Sequence, residues 1–102
     1  MDIAFTDHIL WLSGDFDGRS TEAVRAAIHQ FLDEDEAHLV IDLTAVDTID
    51  ITALRVLAFA SVQAGRHGQH VTLRGCRPAV RRLLHLSRLA RVVEVERAAA
   101  SA

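Results

Sequence analysis

Short apolar runs and amphipathic stretches alternate along the chain. Ile3–Phe5 and Ile9–Leu12 are apolar segments separated by Thr6, Asp7 and His8, a polar punctuation that predicts a β-hairpin. Ser13–Gly18 then supplies two glycines and two aspartates, which predicts a turn, and Ser20 stands as N-cap of a helix starting near Thr21. Glu22 suits its first turn. Val24, Ala27, Ile28 and Phe31 fall at i, i+3, i+4 and i+7 and form one packing stripe, with Arg25, His29 and Gln30 facing away. Leu39, Val40 and Ile41 lack polar alternation, as expected of a strand covered on both faces in the middle of a sheet. Asp42 opens a polar connection that ends at Asp50, the predicted cap of a second helix from about Ile51 to Ala64.

Gly65 and Gly68 end that helix, and His70–Arg74 alternates as a strand does, with Val71 and Leu73 to one face and Gly75 closing it. Pro78 suits the first turn of a third helix. In it Val80, Leu83 and Leu84 pack inward, Leu86 is a further candidate, and Arg81, Arg82 and Arg88 stay wet. Val92, Val93 and Val95 predict a last short strand. The order ββαβαβαβ predicts an α/β fold: a small mixed β-sheet with a parallel part and right-handed crossovers, packed by about three α-helices. Residues 1–97 are expected to form one domain, with 98–102 as a disordered tail.

Half of the 102 residues are hydrophobic, enough for one core. No leader pattern and no apolar run near the ~18 residues of a membrane span is present, so the expected compartment is the cytoplasm. The net charge of −3 hides an asymmetry: residues 1–50 hold twelve acids and two arginines, residues 51–102 nine arginines and two glutamates. Such a chain either interleaves its halves or presents a dipolar surface that steers a charged partner. Arg81, Arg82, Arg88 and Arg91 cluster without aromatic neighbours or a reading motif, so nucleic acid is not the expected partner. All basic residues are arginine, which excludes lysine chemistry.

Cys76 is expected to be a plain small residue after a strand, and Asp33–Glu36 a solvated acidic loop. His67, His70, Cys76 and His85 lack the paired spacing of a zinc site. Asp42, Asp47 and Asp50 suggest a phospho-acceptor receiver, but its chemistry needs a lysine that the chain lacks. Neither a nucleophile elbow nor a phosphate-cradling glycine loop is present, so no enzyme activity and no cofactor are expected.

The second helix carries one charged residue, Arg55, and must hide more than one face. With Leu54, Leu57, Ala58 and Ser61 toward the sheet, Thr52, Arg55, Val56, Phe59, Val62 and Arg66 lie on the other side. Such an apolar strip flanked by arginines marks an interface, unless another helix of the same domain covers it.

Five fragments in order resemble the STAS domain, the family of sulphate transporters and bacterial anti-sigma factor antagonists. Leu12–Asp17 is similar to its L-x-G-x-L-D, with Phe16 in the leucine position. Val40–Thr44, with Val46, Ile49 and Asp50, resembles V-x-D-L-S-x-V-x-x-I-D. Ala64–Gly68 and Val71–Gly75 resemble the family's A-x-x-x-G and following strand, and Pro78–Leu84 with Leu86, Ser87 and Leu89 resembles S-P-x-V-x-R-L-L-x-x-S-G-L. The resemblance implies a small mixed sheet backed by helices.

In phospho-switched antagonists the centre reads D-S-S/T-G, and the serine is phosphorylated by a kinase that is itself the anti-sigma factor. Here those positions read Asp50, Ile51, Thr52 and Ala53. Ile51 has no hydroxyl, so this position cannot accept phosphate; Thr52 is the remaining hydroxyl, displaced by ~100° around a helix. The resemblance thus implies an antagonist without the usual switch, docking a kinase-type anti-sigma factor through Asp15, Asp17, Asp50, Ile51, Thr52, Arg55, Val56, Phe59 and Val62. The alternatives are a non-phosphorylated STAS subunit on the ATPase of a lipid or solute transporter, and a scaffold subunit of a STAS assembly.

Overall fold

A computed structural model describes residues 1–32 and 38–96. The acidic run after Leu32 and the tail after Glu96 lie outside the described residues. Strands β1 (Asp2–Thr6) and β2 (Ile9–Phe16) form the expected hairpin, followed by α1 (Thr21–Phe31), β3 (His38–Ile49), α2 (Ile51–Arg66), β4 (His70–Arg74) and α3 (Pro78–Leu86). A 3-10 turn (Leu89–Arg91) and β5 (Glu94–Val95) complete the order. Asp7 and His8 both adopt positive φ, 52° and 66°, the geometry a two-residue hairpin loop demands.

The sheet order is β1-β2-β3-β4-β5, with β1 antiparallel to β2 and every other pair parallel. Each parallel crossover steps the same way across the sheet, so right-handed connections stack α1, α2 and α3 on one face. Leu10, Leu12, Leu39, Ile41, Val71 and Leu73 meet Val24, Ile28, Leu54, Leu57, Val80 and Leu84 there, and all are buried. Phe31 stacks on Phe5 at a ring separation of 4.1 Å and closes the β1 end of this core.

Among the described residues the opposite face carries no helix and is roofed by its own side chains. Arg74 Nε donates to Asp42 Oδ2 at 2.8 Å, and its guanidinium lies 5.1 Å from the Trp11 ring. Trp11 Nε1 donates to Thr6 Oγ1, and Thr72 Oγ1 donates to Glu94 Oε2 while meeting His38 Nε2 at 2.9 Å. Beneath these two clusters Asp42 is only 5% exposed and Thr72 only 7%.

Several boundaries differ from expectation. Ser13–Phe16 is the second half of β2 rather than a turn, and β3 runs on from Asp42 to Ile49 where a connection was expected. The cause is two irregularities in the β2–β3 pairing: Trp11 faces Asp42 but Ser13 faces Ala45, and Gly14 faces Val46 but Asp15 faces Thr48. Each gives β3 an extra residue, and such bulges break the period of two. Ser20 precedes α1 but makes no side-chain cap; its hydroxyl turns back to the Asp15 carbonyl. Val92 lies in a turn and Val93 is buried before β5, which is only Glu94–Val95. Leu86 does not pack inward and is 75% exposed.

Candidate functional site

The ends of β2 and β3 and the start of α2 meet at one edge. Asp50 is extended, with φ −104° and ψ 173°, and its Oδ1 accepts the Ala53 backbone N–H at 2.8 Å, the cap geometry expected of it. Its own N–H donates to the Phe16 carbonyl at 3.2 Å, which ties the helix start to the tip of β2. Thr48 Oγ1 donates to Asp15 Oδ1 at 2.8 Å and links the two strand tips. Asp17 sits just beyond and turns to its own loop, accepting from Arg19 N at 2.9 Å. Asp15, Asp50, Ile51 and Thr52 are therefore brought together, with Asp17 on the flank.

Ile51 is half-buried and Thr52 exposed in the first turn of α2. A helix N-terminus presents free N–H groups and partial positive charge, but the Asp50 carboxylate already takes one N–H, and no hydroxyl stands at position 51. Along the same helix Arg55, Phe59 and Val62 are exposed, Phe59 by 60%, and Val56 is half-buried. Phe59 lies ~12 Å from Ile51 at the ordinary rise per residue, so the strip extends away from the acidic edge rather than gathering around it. Leu54, Leu57 and Ala58 are buried against the sheet as expected, while Ser61 is half-buried and its hydroxyl donates back to the Leu57 carbonyl.

Sequence reasoning missed a groove of about 420 Å³ between α1 and α2, floored by Ile28, Leu32, Ala60 and Ala64, with Phe59 at its border. Arg25, His29 and His67, assigned only to solvent or to a turn, stand along it. Its signal was weak because it depends on how far apart two helices settle. Phe59 thus serves both the outer strip and the groove, and no helix among the described residues covers it.

Burial pushes the Cys76 thiol above its ordinary range, with Arg81 opposing and Asp42 adding to the shift. Asp42 behaves the other way. Burial alone would raise its carboxyl, but hydrogen bonds from Thr44 and Arg74, with the guanidinium charge, together hold it below the usual aspartate value.

A family model described as "Mlab, STAS domain" matches residues 1–94. Among solved structures, an anti-sigma factor antagonist from Mycobacterium paratuberculosis is 25% identical, with a TM-score of 0.77 over 95% of this chain and 84% of its own. The anti-sigma factor antagonist SpoIIAA in its unphosphorylated form is 12% identical, with a TM-score of 0.71 over 95% of this chain and 87% of its own. A sulfate transporter family protein from Wolinella succinogenes is 14% identical, with a TM-score of 0.73 over 90% and 79%. The chain matches no curated protein.

Proposed function

The chain belongs to the STAS domain family, and from that premise we propose that it is a non-enzymatic binding module, an anti-sigma factor antagonist that docks a kinase-type anti-sigma factor and lacks the phosphoserine switch. The observation that carries this reading is the capped start of α2 with Ile51 in the serine place, running on into the exposed Arg55, Phe59 and Val62. A phosphoryl group adds up to two negative charges and breaks an interface by repulsion and desolvation. With Ile51 the contact has no such off-state, and the module stays competent to bind in the cytoplasm. Asp15, Asp17, Asp50, Thr52 and Val56 complete the docking surface.

The test is affinity capture from the source organism, wild type beside Phe59→Asp, with recovered proteins identified by mass spectrometry. The expected result is a small ATP-binding, kinase-like protein recovered by wild type and lost by the variant, whose affinity falls by at least about 2 kcal/mol if Phe59 is a hot spot. Ile51→Ser should then become a substrate of that kinase and bind it less tightly when phosphorylated; phosphate on wild-type Thr52 would sink the lost-switch account. Recovery of a transporter ATPase instead would favour the second reading, which the transporter-family neighbour fits.

A further inference from the structure

The α3 corner carries a charge pattern that the α2 surface does not use. From Cys76 to Val93 the chain holds Arg77, Arg81, Arg82, Arg88 and Arg91 and no acid. Two of these are engaged with the fold: Arg77 donates to the Thr44 carbonyl, and Arg81 to the Cys76 carbonyl. Arg82, Arg88 and Arg91 are exposed and make no side-chain hydrogen bond or ion pair among the described residues. Between them stand the exposed aliphatics Leu86, 75% accessible, and Val92, 47%. Arg82 and Leu86 are one helical turn apart and share a face. The 3-10 turn folds Arg88, Arg91 and Val92 onto the same helix end through Arg88 N–H to the His85 carbonyl and Val92 N–H to the Leu89 carbonyl.

Arg88 is also strained. Its φ of 67° lies in the left-handed region that costs a residue with a Cβ and costs glycine nothing. An arginine held there places a guanidinium on this corner at the expense of local stability, which points to a use for the charge.

We propose that this corner, Arg82, Leu86, Arg88, Arg91 and Val92, makes a peripheral contact with an anionic lipid surface. The free arginines supply the complement to acidic headgroups. Leu86 and Val92 supply aliphatic side chains that stand clear of the protein, suited to a fluid interface that needs no shape complementarity. Reading or stacking the bases of a nucleic acid would call for aromatic or amide side chains among the arginines, and this corner has none, while the exposed Leu86 and Val92 have no counterpart in a phosphate backbone. The nearest acids along the chain, Glu94 and Glu96, follow the corner, and Glu94 is turned to Thr72, whose hydroxyl it accepts at 3.0 Å.

The experiment is flotation of the full chain with vesicles of phosphatidylcholine alone or mixed with phosphatidylglycerol, at low and physiological salt. Binding is expected only to the anionic vesicles, weakening as salt rises. Arg88→Gly separates folding from binding: it relieves the positive φ and should raise the melting temperature, yet lower vesicle affinity roughly fivefold, the equivalent of about 1 kcal/mol per arginine near an anionic surface. Arg91→Gln should lower it by a similar factor, and Leu86→Ser should weaken binding at both salt concentrations. Equal binding to neutral vesicles, no binding to anionic ones at low salt, or unchanged affinity in Arg88→Gly would each overturn the proposal. Stronger binding to duplex DNA than to anionic vesicles would overturn it in favour of nucleic acid.

Discussion

Gly75 ends β4 with φ +72°, and a Cβ there would overlap Thr44 Oγ1 and come within 3.0 Å of the Thr44 backbone nitrogen. The hydroxyl can rotate away, but the nitrogen belongs to the bulged stretch of β3, whose N–H is itself held by Asp42 Oδ1 at 2.9 Å. Two penalties therefore coincide: a left-handed backbone that disfavours any Cβ, and a close approach that only glycine permits. Gly75→Ala is expected to lose at least about 2 kcal/mol of unfolding free energy in urea titrations. A loss no larger than that of an ordinary exposed glycine would show that the β3 bulge yields, and that Thr44 does not constrain the turn after β4.

At the scale of elements, α2 is joined to the sheet through its cap. Asp50→Ala removes the bond to the Ala53 N–H but leaves the backbone link from Asp50 N–H to Phe16, so it should cost about 1 kcal/mol, with Asp50→Asn retaining most of it. Matched denaturant titrations of the two variants check this; equal and full stability in both would leave Asp50 with a surface role alone. The helices were legible because their signals are local: Val24, Ala27 and Ile28 form the buried stripe of α1, Pro78 opens α3, and the Asp50 cap precedes α2. The hairpin was legible for the same reason. The second half of β3 was not, because its two extra residues scramble the alternation from Leu43 to Ile49 into a pattern that looks like loop. Three valines near the end read as a strand, yet only the stretch Glu94–Val95 pairs with β4, since the 3-10 turn takes up the chain before it. The start of α2 could be found from the sequence as a cap followed by a helix. The groove beside Phe59 could not, because residues from α1 and α2 that are far apart in the chain build it together.

At the scale of the whole molecule, the sheet is unequal in its two faces, and this shapes its response to acid. Helices cover one face with apolar side chains; on the other, Arg74 lies between the Asp42 carboxylate and the Trp11 ring, and Thr72 is held separately by Glu94 and His38. Because the Asp42 pKa is depressed in the fold, its charged form stabilises the native state above the unfolded aspartate value of about 3.9, and that contribution is lost as pH falls through the folded value. Glu22 is held low in the same sense by its hydrogen bond to Arg25, but it is fully exposed and screened, so Asp42 should dominate the specific part of the acid response. Asp42→Asn isolates it. At neutral pH the variant should be less stable than wild type, because Arg74 keeps its charge but loses the carboxylate. Below about pH 4 the two stability curves should begin to converge, and they should meet only once the pH has passed below the depressed folded value, where native wild type carries the proton as well. General repulsion among the arginines and protonated histidines acts on both proteins alike and cancels in the comparison. Denaturant midpoints measured from neutral to acidic pH would decide it: curves that stay parallel would mean that the Asp42–Arg74 pair, for all its burial, contributes nothing that depends on the proton.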